Sequence, residues 1–261
     1  MKLRLILGCM SVLVIFLLSI SVTYAKVDPK TIVGIWLLDE GSGNTLKDSS
    51  GNKNDGKNVG AVWVKGKFGS ALEFDGGNHA EIPASETTDK YVDGFTYLLW
   101  VMPTGAAPNA NTRVIERDWH NPTIQMGSAD FYGSIVIAGD QAASNVRGGA
   151  WTKGEWTFVA LSWDGSTLRL YVNDKMVKDL KLKKPDFTKN NGGGAIWLAS
   201  WKAVGWSYIG VIDDVGIFSD ALSADDIKNI MTLGLDKSII SLSVAPGEEK
   251  LTSTWGQIKN Q

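Results

Sequence analysis

The sequence predicts an all-β fold, a sandwich or a barrel, on three observations. Short runs rich in Val, Ile, Leu, Thr and aromatic residues recur along the chain, separated by turns that carry Gly, Asp and Asn. In the clearest of these runs Leu168, Leu170 and Val172 alternate with Thr167, Arg169 and Tyr171, the period of a half-buried antiparallel strand. The one distinct helix signal is Ser223 with Asp226 three residues on, and no repeat of solenoid or propeller period is present.

The elements follow in order. Ile32 to Leu38 reads as a strand, followed by the turn-rich Asp39–Asn44. Asp48 to Gly56 is a second polar loop with glycines. Ala71–Phe74 and His79–Ile82 flank Asp75-Gly76-Gly77-Asn78, which reads as a hairpin turn. Phe95 to Met102 is a strand ended by Pro103, and Arg113–Glu116 and Ser134–Ala138 are further strands. Trp156–Trp163, Thr167–Val172 and Lys175–Val177 form consecutive strands joined by Asp164-Gly165-Ser166 and Asn173-Asp174. Ala195–Ser200 and Val211–Phe218 complete the set, and a short helix runs from Ser223 to about Met231.

Ahead of this lies a leader. Lys2 and Arg4 precede an apolar run from Leu5 to Ile20, and Thr23 and Ala25 stand three residues and one residue before Lys26. That is the layout of a secretory signal peptide cut after Ala25, with an uncleaved anchor as the rival. The expected organisation is a signal peptide over 1–25, one domain over 26–235 and a tail over 236–261, in a protein secreted, periplasmic or at the cell surface. The single cysteine, Cys9, falls in the leader, so the mature chain is expected to lack disulfides, thiolate nucleophiles and cysteine metal sites.

Composition narrows the partners. The chain carries 26 Lys and Arg against 28 Asp and Glu, with no basic stripe, which argues against nucleic acid. After Ile20 no stretch is long and apolar enough to span a membrane. Neither histidine has a partner at i, i+4, so zinc is not expected. A Gly-x-Ser-x-Gly elbow and a Gly-Lys-Ser/Thr phosphate loop are both missing.

Four blocks resemble, in family order, the laminin-G-like, concanavalin A-like jelly-roll domains. They are Gly34–Gly43; Asp48–Gly56 with Gly69–Gly76; Glu155–Gly165; and Ile212–Phe218 with Ala221-Leu222-Ser223. The resemblance spans roughly Ile32 to Leu233 and implies a jelly-roll β-sandwich of two antiparallel sheets. Fold is not function, however, and the family holds sugar-binding, protein-binding and structural modules. The last dozen residues resemble a short tail of some bacterial secreted proteins.

Three functional expectations remain. The Asp48–Asp55 loop offers Asp48, Asn52, Asn54 and Asp55 as hard oxygen donors, and Asp213 or Asp214 could meet it. Strand alternation sends those two aspartates to opposite faces, so one of them would serve. The resemblance implies a structural calcium, carried to Asp48, Asn54 and Asp213. Turn-forming side-chain to backbone bonds are the competing account of the same residues.

A glycosidase of this superfamily implies a strand of the type Glu-x-Asp-x-x-Glu. Here Glu116-Arg117-Asp118 leads into Trp119-His120 with no second Glu, so binding is expected rather than catalysis. Binding residues are expected on loops: Trp119, His120, Arg117, Trp201 and Trp206, with Trp36, Trp63, Trp100, Trp156 and Trp163 in the core. The expected ligand is carbohydrate. A cell-surface or extracellular protein held by a structural or adhesive module is the alternative, and a concanavalin A-like hydrolase comes third.

Overall fold

The computed structural model describes residues 27–89, 93–106, 111–117, 121–135, 145–182, 194–203 and 205–238. Along the chain run β1 (Ile32–Trp36), β2 (Thr45–Leu46), β3 (Gly56–Val59), β4 (Val62–Lys65), β5 (Ser70–Asp75), β6 (His79–Ile82), β7 (Phe95–Pro103) and β8 (Thr112–Arg117). Then come β9 (Thr123–Met126), β10 (Asp130–Ser134), β11 (Asn145–Ala150), β12 (Thr157–Trp163), β13 (Thr167–Val172), β14 (Lys175–Lys181), β15 (Ile196–Leu198), β16 (Ile209–Phe218) and the helix α1 (Ala224–Leu233).

These strands form two antiparallel sheets, the sandwich that the sequence predicts. The first has the order β14-β13-β12-β7-β16-β5-β4 with β1 also on β16, and the second β11-β10-β9-β8-β15-β6-β3-β2. Between them lies the main core, in which Trp36, Phe74, Phe95, Tyr97, Leu161 and Trp163 of the first sheet meet Ile115, Ile124, Met126, Phe131, Ile196 and Leu198 of the second. The alternation of β13 is realised: Leu168, Leu170 and Val172 enter this core, while Tyr171 joins a second cluster on the outer face of the first sheet.

That second cluster is closed by α1. Ser223 accepts from the Asp226 backbone N–H while the Asp226 carboxylate accepts from Ser223, a capping box that starts the helix where the sequence places it. Ile227 and Ile230, three residues apart on one face, pack with Leu98, Trp100, Phe158 and Leu235. At the far edge of the first sheet, β14 leaves Lys175, Lys178 and Lys181 exposed.

Two expectations are corrected. Asp75–Asn78 is not a hairpin turn: β5 pairs with β4 and β16 in the first sheet, while β6 pairs with β3 and β15 in the second. Gly76 at φ 91 and the Asp75 carboxylate on the Gly77 N–H bend the chain from one sheet to the other, so a turn sequence serves as a sandwich corner. The strand expected at Ser134–Ala138 ends instead at Ser134, because Asp130–Ser134 pairs with β9 and β11; residues 136–138 lie outside the described residues.

Strict alternation also fails at Asp213 and Asp214. Ile212 and Val215 both enter the inter-sheet core although they are three apart. A bulge against β7, with Asp214 at φ 49, inserts the extra residue and leaves both aspartates on the outer face.

Candidate functional site

The predicted calcium residues fall in two separate networks. Asp48 Oδ1 accepts from the N–H groups of Ile35 and Ser50, and its Oδ2 accepts from Asn54. Asn54 Nδ2 donates to the Val33 carbonyl and Thr87, while its Oδ1 accepts from Ser85. This loop is thereby fastened to β1 by side-chain to backbone bonds. Asp213 accepts from the N–H groups of Phe68 and Asp214 and shares no bonding partner with Asp48 or Asn54. The oxygens of Asp48 and Asn54 are thus engaged in fastening the loop, and those of Asp213 in holding the Phe68 and Asp214 N–H groups. Among the described residues no three His, Cys, Asp or Glu side chains gather as a metal centre.

The predicted ligand-binding residues also separate. Trp119 and His120 lie outside the described residues. Arg117 ends β8 opposite Ile196, a core residue, and is buried against Asp89 at the sheet's rim. Alternation sends it away from the face that its neighbour Glu116 occupies. Trp201 and Trp206 do meet, with ring centroids 5.6 Å apart. Their segment folds back on β8, where the Arg113 N–H donates to the Trp206 carbonyl, and the Arg113 guanidinium lies 5.8 Å from the Trp206 ring centroid. Trp206 is 37% exposed and held at φ 51.

The outer face of the second sheet, where Arg113 lies beside Trp206, is a surface that loop-based reasoning missed. On the second sheet, the register pairs Asn145 with Ser134, Ser134 with Thr123, Thr123 with Glu116, Glu116 with Trp197, Trp197 with Glu81, Glu81 with Lys57 and Lys57 with Thr45. Their strand neighbours Ile115, Ile124, Ile196, Leu198, Ala80, Ile82 and Leu46 point into the core, so this line lies on the outer face. It crosses all eight strands, about 33 Å at the usual strand spacing. Trp197 is its one aromatic residue, with a carboxylate on either side. A parallel line runs Arg147–Tyr132–Gln125–Arg113, with the Arg147 guanidinium 4.2 Å from the Tyr132 ring centroid.

Exposure divides the face. Thr45 and Lys57 are exposed, Glu81 and Trp197 half-buried. Glu116 and Thr123 are 0% exposed and Ser134 4%. In the buried part Arg113 and Glu116 form an ion pair across one helical-type spacing on β8, made adjacent by the bulge between Arg113 and Ile115. In the open part the His79 ring centroid lies 5.2 Å from that of Trp197. Burial holds the His79 pKa below the ordinary histidine value against the opposing pull of Glu81, while Lys57 adds to the lowering. The arrangement offers an aromatic face beside fixed hydrogen-bonding groups, which suits a ligand with apolar faces and hydroxyl edges. The signal for Trp197 was in the sequence: in Ile196-Trp197-Leu198 alternation sets the indole opposite two core residues.

No helix among the described residues is long and apolar enough to cross a membrane. A family model described as the concanavalin A-like lectin/glucanases superfamily matches residues 74–228. Three solved structures share the fold. Domain 4 of AbnA, a GH43 extracellular arabinanase from Geobacillus stearothermophilus solved with arabinotriose, superposes with a TM-score of 0.57 at 19% identity, over 77% of this chain and 98% of that one. The binding domain of botulinum neurotoxin DC, in complex with rat synaptotagmin II, gives 0.60 at 14% identity over 78% and 52%. A Trypanosoma rangeli sialidase mutant displaying trans-sialidase activity gives 0.63 at 15% identity over 82% and 34%. At these identities the likeness is one of fold. No curated protein sequence matches the chain.

Proposed function

The chain belongs to the concanavalin A-like lectin/glucanases superfamily, and from that premise we propose that it is an exported, non-catalytic module that binds carbohydrate on the outer face of its second sheet. The observation that carries this reading is Trp197, half-buried at the centre of a polar line and flanked in register by Glu116 and Glu81. A sugar ring stacked on the indole would meet the half-buried Glu81 carboxylate at a hydroxyl edge, with the buried Glu116 closing the other side. The arabinotriose complex of the AbnA domain supports the sugar reading by analogy of fold.

Binding is favoured over hydrolysis by the state of Glu116. A glycosidase needs two carboxyl groups that reach the scissile bond from either side. Glu116 is fully buried and ion-paired with Arg113, so it is not accessible to a scissile bond. The leader expected over 1–25 supports a place outside the cytoplasm.

A glycan array probed with the purified protein tests the reading. Retention on a defined set of glycans that is lost in Trp197→Ala is the expected result. Silence across diverse glycans, or sugar release from a bound polysaccharide, overturns it.

A further inference from the structure

The line through Trp197 is open on one side of the indole and buried on the other from Glu116 to Ser134, with only Asn145 at the far edge strand exposed, and from this asymmetry the geometry points to a ligand class: the site takes the end of a neutral oligosaccharide chain. The inference rests on the carbohydrate reading above and adds which part of a glycan, and of what charge, is recognised.

The first argument is access. Along the register line the exposed residues Thr45 and Lys57 lead to the half-buried Glu81 and Trp197, and the next residue, Glu116, is 0% exposed. The open arm from Trp197 to Thr45 covers three strand spacings, about 14 Å, room for about two or three sugar units. Beyond Trp197 the face is shut over Glu116, Thr123 and Ser134. Trp206 lies 5.8 Å from the guanidinium of Arg113, the ion-pair partner of Glu116. A chain that enters over Lys57 and stacks on Trp197 finds no accessible surface at the next three positions, Glu116, Thr123 and Ser134. A polysaccharide threaded through by its middle would need the line open on both sides.

The second argument is charge. Acidic sugars are recognised by arginines whose fork is available to a carboxylate. Every arginine of the second sheet already faces a carboxylate: Arg113 faces Glu116, Arg117 faces Asp89, and Arg147 faces Asp130. Lys57, on the open arm, stands in register with Glu81. The groups beside Trp197 therefore present balanced charge and many hydrogen-bonding atoms, which fits hydroxyls rather than a uronate or sialate carboxylate.

The test is a length series by calorimetry. The probes are arabinan-, xylan-, glucan- and mannan-derived oligosaccharides from disaccharide to octasaccharide, with each series also supplied blocked at one end or the other, and oligogalacturonides as the charged comparison. The expected result is an affinity that rises up to about the trisaccharide and then stays within about twofold. Blocking one of the two ends should weaken binding at least tenfold, with oligogalacturonides weaker than the neutral series. Affinity that keeps rising to the octasaccharide, indifference to blocking at both ends, or preference for oligogalacturonides overturns the inference while leaving the carbohydrate reading intact. Failure of all the series to bind overturns the carbohydrate reading itself, and this inference with it.

Discussion

Asp213 and Asp214, consecutive on β16, stand on the same outer face of the first sheet, and each accepts a backbone N–H from a different neighbour. Asp213 takes Phe68 and Asp214 takes Leu235, so the pair fastens the turn after β4 and the chain beyond α1 to the sheet. Burial pushes the Asp213 carboxyl up to about 8, against the N–H of Phe68 and with the charge of Asp214 adding to the rise. Burial likewise pushes Asp214 up to about 6, against the Leu235 N–H and with Asp39 and Asp236 adding.

These shifts fix the sign of a pH dependence. Both groups bind protons more tightly folded than unfolded, so between about pH 4 and pH 8 the folded state holds more protons and stability falls as pH rises. The melting temperature is expected to climb as pH is lowered from 8 to 5, by an amount on the order of a few kcal/mol of unfolding free energy. Asp214→Asn keeps an oxygen for the Leu235 N–H and removes the repulsion on Asp213; it should melt higher at pH 8 and show a flatter profile. Thermal melts across this range check it, and a profile that rises toward pH 8 in the parent protein would count against the assignment.

Trp197 and Glu116 separate binding from folding. Trp197→Ala is expected to weaken glycan binding about tenfold or more, the equivalent of about 1.4 kcal/mol, while the melt moves far less because the indole sits outside the inter-sheet core. Titration of the two proteins with the best array ligand reads the ratio.

Glu116→Ala leaves the Arg113 guanidinium buried without its carboxylate, and removing one member of such a pair costs about 3–5 kcal/mol. Chemical denaturation should show a loss of that order. A loss below 1 kcal/mol would mean that water reaches the pair.

Asp48→Ala orphans three backbone N–H groups, those of Ile35, Ser50 and Asn54. At about 1 kcal/mol or more for each unmade bond, the expected destabilisation is on the order of 3 kcal/mol. Because the carboxylate acts here through N–H groups, the parent protein should melt at the same temperature in chelator and in excess calcium. A calcium-dependent rise in the melt would restore the metal reading of this loop.

How much of this was legible in the sequence depends on the range of the interactions. β12, β13 and α1 were readable because alternation, turn residues and a capping box are local. The corner at Asp75–Asn78 was misread because a hairpin and a sheet-to-sheet crossing use the same turn chemistry and differ only in which distant strand each arm pairs with, β16 or β15. Asp214 was misassigned because a bulge leaves no mark in the residue pattern. The candidate site was half visible. Trp206 was expected from its loop, but the line through Trp197 exists only because Glu81, Glu116 and Trp197, far apart in the chain, come into register. Arg117 is adjacent to Glu116 in sequence and turns to the other side of the sheet.

The lysines of β14 have a consequence for how copies of this protein share space. An outermost strand offers unpaired backbone groups to any other chain, and identical copies are the commonest visitors. Lys175, Lys178 and Lys181 set like charge against like charge whenever two such edges approach. The charge on this edge therefore opposes the pairing of one copy's first sheet with another's into a continuous ribbon.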